Sequence, residues 1–332
     1  MRHSSATAAL LASAVIGGLG LTPAVAHAQA GPPVARGAWI ASCTDRKSDL
    51  SYPCGHWQVL LRDGGRLTVR GAATTTADGG GKEVRDTSAF AISADGRVLA
   101  YERAGDHRLV VRRLAGGKAT VLPRSAVPAG TGTEGLGLTL SPTGDKVLID
   151  FPDEARLPAK VITVATGRTT TLPAKDSMIG FSGDGGEVLA TRFLSDNTTR
   201  MYAYRLGGGS IRRTPPQVVA NAAATALAPD GETVAALTSG DADKGRPPRL
   251  RVYNLVTGGL SAGVDLPVKA GVQPGPAWWT ADGRLRVTVR SGEEGEPAVV
   301  RVLTVDPESG AATRADSYSI SKTRYTFIAA GE

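Results

Sequence analysis

The sequence predicts an all-β fold assembled from repeated four-stranded units, and three observations support that prediction. One hairpin motif recurs down the chain, a second hairpin motif alternates with it, and no stretch beyond residue 30 has the helical period of about 3.6 residues. The composition agrees, because 42 glycines and 20 prolines suit a chain with many turns.

The first motif is an apolar strand, a turn of the Asp-Gly kind and a second apolar strand. Its five copies are FAISADGRVLAY (90–101), LTLSPTGDKVLID (138–150), IGFSGDGGEVLAT (179–191), TALAPDGETVAAL (225–237) and AWWTADGRLRVTV (277–289). The turn glycines, Gly96, Gly144, Gly185, Gly231 and Gly283, are separated by 48, 41, 46 and 52 residues. Internal repeats of this period are typical of the blades of a β-propeller.

The second motif is a strand, a glycine turn and another strand, and it lies between the copies of the first. Its six copies are WQVLLRDGGRLTV (57–69), RLVVRRLAGGKATVL (108–122), KVITVATGRTTTL (160–172), MYAYRLGGGSIRR (201–213), LRVYNLVTGGLSAGV (250–264) and VVRVLTVDPESGAAT (299–313). Glycine suits such turns because it adopts positive φ without a steric penalty. The copy at 57–69 has no partner of the first kind before it.

Closure of the ring accounts for this unpaired copy. A propeller covers the edges of its first and last blades by building one blade from both ends of the chain. We expect that blade to contain residues 37–42 and the two strands of 57–69, with its innermost strand supplied by RYTFIAA at 324–330. The sequence therefore predicts a six-bladed propeller closed by pairing of the N-terminal blade with the C-terminal strand.

The repeat also resembles a known one. The Asp-Gly turns between the inner strands, together with VYNLVTG at 252–258 between the outer ones, resemble the TolB-type, WD-like propeller repeat over residues 37–330. Such repeats occur in periplasmic scaffolds, in peptidase gating domains and in secreted proteins. The resemblance implies a binding or scaffold module, and it names no ligand, since one fold hosts many functions.

Residues 1–30 have the features of a signal peptide, which leaves residues 31–332 as a single propeller domain. Arg2 is followed by an apolar run of 14 residues, Ala8–Leu21, and by small residues that allow cleavage after Ala28 or Ala30. That run is too short to span a bilayer, and no later segment approaches the required length. We therefore expect a secreted, extracellular protein without a transmembrane segment.

Cys43 and Cys54 are the only cysteines, so a disulfide between them is the one possible pairing in an oxidising compartment. One alternative is a metal or redox pair, for which the spacing is unusual. Another is lipidation of Cys43, because residues 40–43 resemble a lipoprotein cleavage box, although they lie far beyond the apolar run. We favour the disulfide.

The net charge limits the classes of partner. The chain carries +7, and removing residues 1–30 removes one arginine and no acid, which leaves 37 basic against 31 acidic residues. No basic run interleaved with aromatic residues occurs, so we expect no nucleic-acid partner. Attraction to an anionic envelope surface stays open as an alternative.

The sequence offers few catalytic groups. Only His56 and His107 lie beyond residue 30. We expect His107 to be a surface-loop histidine without a partner or a role, and His56, which follows the cysteine pair, to pack beside Trp57. No Gly-x-Ser-x-Gly motif is present. Residues 241–245 resemble the front half of a calcium loop, but Lys244 favours an ordinary polar turn. We therefore predict a protein that is not an enzyme and has no metal or other cofactor.

The binding surface is predicted from the register of the blades. Loops that join blades, and loops between the second and third strands, share one face of a propeller around the channel mouth, and loops on a rigid scaffold carry function. The candidate binding residues on the blade-joining loops are Arg124, Glu134, Asp176, Asn221, Lys269 and Gln273. The other loops bring acids to the same face: Asp106, Asp153, Glu154, Asp196, Asp241, Asp243, Glu293, Glu294 and Glu296.

Together these features predict a secreted, monomeric propeller that binds a protein, a peptide or a cell-envelope component through this face. The alternative is a lyase-like or lactonase-like propeller enzyme that uses the channel mouth.

Overall fold

The fold is described from a computed structural model, which covers residues 31–152, 154, 156–291 and 297–332. These residues form six four-stranded sheets and one two-stranded sheet. Each four-stranded sheet is one blade, so the all-β, six-bladed propeller predicted from the sequence is confirmed. The predicted signal peptide lies outside the described residues, as do Asp153, Glu293, Glu294 and Glu296.

The strands follow the predicted hairpins. The first blade and the two-stranded sheet contain β1 (Ala35–Thr44), β2 (Ser51–Leu61) and β3 (Arg66–Val69), then β4 (Thr75–Ala77) and β5 (Glu83–Thr87). Blades 2 and 3 contain β6 (Phe90–Ile92), β7 (Val98–Glu102), β8 (Leu109–Arg113) and β9 (Thr120–Val121), then β10 (Gly137–Leu140), β11 (Lys146–Asp150), β12 (Lys160–Thr163) and β13 (Thr169–Thr171). Each blade runs from an inner strand at the channel to an outer strand.

Blades 4 to 6 repeat this arrangement. They contain β14 (Ser177–Phe181), β15 (Glu187–Phe193), β16 (Thr199–Arg205) and β17 (Ser210–Arg213), then β18 (Ala224–Leu227), β19 (Thr233–Thr238), β20 (Arg249–Asn254) and β21 (Val264–Asp265), and finally β22 (Pro274–Trp279), β23 (Leu285–Ser291), β24 (Ala298–Val305) and β25 (Ala312–Ile320). The last strand is β26 (Arg324–Ala329).

The ring closes at the first blade, as predicted. Its strand order is β26-β1-β2-β3, with Trp39 paired to Phe327 and Gly37 paired to Ala329. Blade 6 adds a further link, because the hydroxyl of Tyr318 donates a hydrogen bond to the carbonyl oxygen of Arg36 at 2.9 Å. Where the two ends of the chain meet, β26 therefore covers the inner edge of β1, and blade 6 is hydrogen-bonded to β1 as well.

The glycine and aspartate of the Asp-Gly turns stabilise the conformation of the turn backbone. Gly96 and Gly231 have φ of 72° and 67°, which strongly favours glycine. In the turn of blade 5, Oδ1 of Asp230 accepts hydrogen bonds from the backbone N–H groups of Glu232 at 2.9 Å and Thr233 at 2.8 Å. The side chain thus stabilises the same turn that the glycine permits.

The core lies between successive blades. Between blades 1 and 2, the rings of Trp57 and Phe90 stack at 4.4 Å, and Phe90 stacks on Tyr101 at 5.9 Å. The indole N–H of Trp57 donates a hydrogen bond to Oγ of Ser88 at 3.1 Å, so the fully buried ring keeps its polar group satisfied. Blade-to-blade packing of this kind holds the loops on a rigid frame.

The predicted disulfide is present. Cys43 on β1 and Cys54 on β2 are bonded, with their Cα atoms 5.8 Å apart. The bond links the second and third strands of the first blade, as the sequence indicates. It therefore supports the blade that also closes the ring.

Within residues 31–332, as far as the structure describes them, helical structure is limited to short segments in the blade-joining loops. A single 3-10 turn covers Arg124–Ala126, and α1 covers Gln217–Ala220. Among the described residues, no helix has the length and apolar character that crossing a membrane requires.

The hairpin β4–β5 lies outside the repeat pattern and was not predicted. It packs against the loop that joins blades 2 and 3, where the N–H of Thr133 donates a hydrogen bond to the Ala77 carbonyl at 2.7 Å. A Cβ atom at Gly79 would lie 2.0 Å from the carbonyl oxygen of Gly130, and one at Gly132 would lie 2.4 Å from that of Ala77. Glycine at both positions allows the two backbones to approach this closely.

Candidate functional site

The strand order divides the ends of the blades between two faces. The loops that join blades, and the loops between second and third strands such as 103–108 and 194–198, lie on one face, which we call the loop face. The Asp-Gly turns and the outer hairpin turns lie on the other, which we call the turn face. The candidate binding residues predicted from the sequence all belong to blade-joining loops.

Five of those six candidates are exposed on the loop face: Arg124, Glu134, Asn221, Lys269 and Gln273. Gln273 is partly engaged, because its Oε1 accepts a hydrogen bond from Oγ of Ser239 at 2.6 Å. That bond ties the loop joining blades 5 and 6 to the loop between β19 and β20. Binding of a partner by these residues stays a prediction.

Asp176, the sixth candidate, occupies a different environment. Only 5% of the residue is exposed, and its carboxylate accepts hydrogen bonds from Nε of Arg192 and from the hydroxyl of Tyr204. Burial and this carboxylate both raise the pKa of the Tyr204 hydroxyl. The guanidinium of Arg192 lies 5.0 Å from the ring centroid of Tyr202. Asp176 therefore fixes a blade-joining loop to blade 4 and does not present its charge to solvent.

The central channel contains a cavity of about 640 Å³. The wall is mainly alanine, proline and other apolar residues of the inner strands, with hydroxyls from Thr139, Thr191 and Thr225. Among the described residues that line it, Glu332 is the ionisable one, and burial raises the pKa of its carboxyl. Such a wall suits a small apolar group.

A larger cavity, of about 980 Å³, lies on the loop face at blade 2, and we call it the blade-2 cleft. Its walls are the turn of the hairpin β4–β5, the loop between β7 and β8, and residues 122–133 of the loop to blade 3. Its size is at the upper end of the range usual for ligand sites. Arg124 is the candidate binding residue that lines it.

A buried polar network forms the base of this cleft. The side chain of Glu102 is fully buried, and its Oε1 contacts Nδ1 of His107 and accepts a hydrogen bond from Oγ1 of Thr133 at 2.6 Å. Oγ1 of Thr133 in turn accepts a hydrogen bond from Oγ1 of Thr76 at 2.8 Å. Burial raises the pKa of the Glu102 carboxyl. The network joins blade 2, the hairpin and the blade-joining loop.

The expectation that His107 lacks a partner is therefore wrong. Its backbone has φ of 52°, which is uncommon outside glycine, and its Nδ1 contacts Oε1 of Glu102. With Nδ1 engaged, the edge of the ring that carries Nε2 remains for the cleft, which His107 lines. The sequence signal was weak: a glutamate at the end of an otherwise apolar strand, five residues before a histidine.

Three cationic side chains line the blade-2 cleft. Nη2 of Arg108 donates a hydrogen bond to the carbonyl of Leu122 at 2.7 Å, Nζ of Lys160 donates to the carbonyl of Ser125, and Arg124 is exposed. None of the three cations forms an ion pair with a carboxylate of the described residues.

The two acids of the lining already have partners. Arg103 binds both carboxylate oxygens of Asp106 and is the main reason that the pKa of Asp106 is lowered to about 2, with a smaller effect from the charge of Arg108. Oδ1 of Asp78 accepts hydrogen bonds from the backbone N–H groups of Gly80 and Lys82, both at 2.9 Å. Arg103 neutralises Asp106, which leaves the charge of Asp78 against those of Arg108, Arg124 and Lys160, so the cleft presents an excess of positive charge.

The calcium-like segment 241–245 is a closed polar turn. Nζ of Lys244 lies 2.7 Å from Oδ2 of Asp241, which places a cation where a metal would need the carboxylate. Elsewhere in the described part of the chain, no group of three or more His, Cys, Asp and Glu side chains converges in a way that could hold a metal ion.

Comparison with known proteins gives a likeness in structure alone. No protein-family model matches the chain, and no curated protein matches it. TolB from Acinetobacter baumannii superimposes with a TM-score of 0.50 at 16% identity, over 87% of this chain and 64% of that one.

Two further structures are similar at lower scores. A TolB protein from Agrobacterium tumefaciens gives a TM-score of 0.44 at 16% identity, over 87% of this chain and 91% of that one. A chain of a nidogen–laminin complex gives 0.49 at 11% identity, over 88% of this chain and 97% of that one. The resemblance to TolB-type repeats is thus confirmed for the fold: this chain is a six-bladed propeller similar in structure to TolB.

Proposed function

We propose that this protein is an exported binding module that holds a protein, peptide or cell-envelope component against its loop face. The observation that carries the proposal is the blade-2 cleft, a cavity of about 980 Å³ that opens among blade-joining loops. It presents three cations that form no ion pair with a carboxylate of the described residues. A large concave site with a few convergent polar groups is the usual form of a binding site. The six packed blades supply the rigid frame that such loops need.

Export is supported by two features at the start of the chain. The Cys43–Cys54 bond is of a kind that persists in oxidising compartments. The apolar run Ala8–Leu21, with cleavage after Ala28 or Ala30, supplies the signal. A secreted protein or one held at the envelope surface agrees with both features.

Affinity capture with matched variants tests the proposal. Immobilised protein, residues 31–332, is incubated with the envelope fraction of the source cells, and bound proteins are quantified by mass spectrometry. Arg124→Glu reverses a charge on the loop face. Arg97→Glu makes the same change in an exposed turn on the opposite face and is the control.

We expect a partner that Arg97→Glu retains and Arg124→Glu loses. Loss with both variants, together with elution by moderate salt, would indicate association through net charge and would contradict a defined loop-face site. A partner that is lost with Arg97→Glu and retained with Arg124→Glu would bind at the turn face, and this result would overturn the proposal.

A further inference from the structure

The charges of the blade-2 cleft point to the chemistry of its ligand. Arg108, Arg124 and Lys160 line the cleft without a carboxylate partner among the described residues, whereas Asp106 and Asp78 are engaged by Arg103 and by backbone N–H groups. From this charge complementarity we infer that the cleft binds an acidic peptide segment through a carboxylate group. The inference rests on the proposed function, because it names the chemistry of the partner at the same face.

Two of the cations are held in place before any ligand arrives. The guanidinium of Arg108 is anchored on the Leu122 carbonyl at 2.7 Å, and the ammonium of Lys160 is anchored on the Ser125 carbonyl. A guanidinium has five N–H donors and an ammonium has three, so each group keeps donors for a carboxylate. Because the groups are already fixed, an anion would not have to order them, which lowers the entropic cost of binding.

Part of the lining is apolar, which favours a peptide over a bare ion. Val127 and Pro128, which are half-buried, and Ala129, which is exposed, line the cleft from the blade-joining loop. Leu109 and Leu122 also belong to the lining, but each is only 3% exposed. A free anion would leave this surface uncovered. A peptide can place an apolar side chain on it while an adjacent carboxylate reaches the cations, and the volume of about 980 Å³ accommodates several residues.

The Glu102–His107 network keeps the walls together. Through Thr133 and Thr76 it connects the floor of the cleft to the hairpin β4–β5, and the close approach at Gly79 and Gly132 brings that hairpin against the loop. The cleft is thus a built feature of three separate chain segments. It has a defined shape in the absence of a ligand.

A direct binding measurement tests the inference. The probe is a fluorescein-labelled tetrapeptide of alternating leucine and acidic residues with a free C-terminus, and binding to residues 31–332 is followed by fluorescence polarisation. The matched probe replaces each acidic residue with its amide and amidates the C-terminus. Inorganic phosphate and the unlabelled acidic peptide serve as competitors, and each titration is repeated at low and high salt.

We expect the acidic probe to bind and the amide probe to bind at least about tenfold more weakly, with affinity falling as salt rises. Arg124→Glu should weaken binding by about five- to tenfold, and Lys160→Gln by about threefold. Arg97→Glu should stay within about twofold of the wild type. Unchanged urea unfolding curves for Arg124→Glu and Arg97→Glu would show that both variants are folded.

Three results would overturn the inference: no binding of the acidic probe, equal binding of both probes, or displacement by phosphate as effective as by unlabelled acidic peptide. The last would identify a small-anion site. The two proposals fail separately. If Arg124→Glu abolishes partner capture but the acidic probe does not bind, the loop-face function stands and the carboxylate assignment fails. If the acidic probe binds but Arg124→Glu leaves partner capture unchanged, the carboxylate assignment stands and the proposed loop-face function fails.

Discussion

The seam of the ring allows a quantitative test of how the propeller is closed. Phe327 of β26 is 6% exposed and packs with Trp39, Val300 and Tyr318. Its ring lies directly over Gly37, because a Cβ atom at Gly37 would be 2.7 Å from both Cε2 and Cζ of Phe327. The glycine and the ring therefore form one contact between the C-terminal strand and β1.

The two single substitutions have separate costs. Phe327→Ala removes a buried aromatic side chain and should lower the free energy of unfolding by about 3–4 kcal/mol. Gly37→Ala forces a methyl group against the ring and should cost about 1–3 kcal/mol. In the double variant the ring is absent, so the main clash disappears and the contact with the Ile328 carbonyl at 3.0 Å remains. The double variant should therefore lose about 1–2 kcal/mol less than the sum.

The assay is equilibrium unfolding in urea at 25 °C, followed by tryptophan fluorescence. Phe193→Ala is the control, because that side chain belongs to a residue 71% exposed, and its removal should change stability by less than about 0.5 kcal/mol. Additivity of the two seam substitutions within about 0.5 kcal/mol would refute the contact. A cost below about 1 kcal/mol for Phe327→Ala would refute the role of β26 in sealing the ring.

Three further predictions concern single structural features. Replacing Cys43 and Cys54 with serine should lower the free energy of unfolding by about 2.8 kcal/mol, the loop-closure value for a separation of 11 residues, and two free thiols in the native protein would contradict the bond. Asp176→Asn should cost about 2–3 kcal/mol, because it removes the charge that holds Arg192, and an unchanged unfolding midpoint would contradict this anchoring role. Burial raises the pKa of Glu102 above 4.5, so the folded protein binds its proton at a higher pH than the unfolded chain. As pH rises from 4.5 through that raised value, unfolding curves should show the wild type losing stability relative to Glu102→Gln, and a constant difference would contradict the assignment.

The candidate site was only partly predictable, and Asp176 shows why. Its position after an outer strand correctly places it in a blade-joining loop of the loop face. Its burial depends on Arg192 and Tyr204, which lie 16 and 28 residues further along the chain. A loop aspartate that faces solvent and one that anchors a loop have the same local sequence signature, so exposure could not be predicted.

The blade-2 cleft was beyond sequence reasoning for a similar reason. Its hairpin consists of strands of three and five residues without the repeat motif, and its base joins Thr76 to Thr133 across 57 residues. The partner of His107 is a glutamate whose carboxylate is buried only because those segments cover it. Neither the short strands nor this contact leaves a periodic signal.

What the sequence by itself determined is the architecture: the hairpins, the number of blades, the closing strand and the one possible disulfide. These follow from local chemistry, since turn residues such as Gly96 and Asp230 are selected by backbone geometry and recur with each blade. The tertiary structure alone decided which charges are exposed and where a cavity opens. Burial and ion pairing depend on neighbours that are distant in the chain, and no local pattern records them.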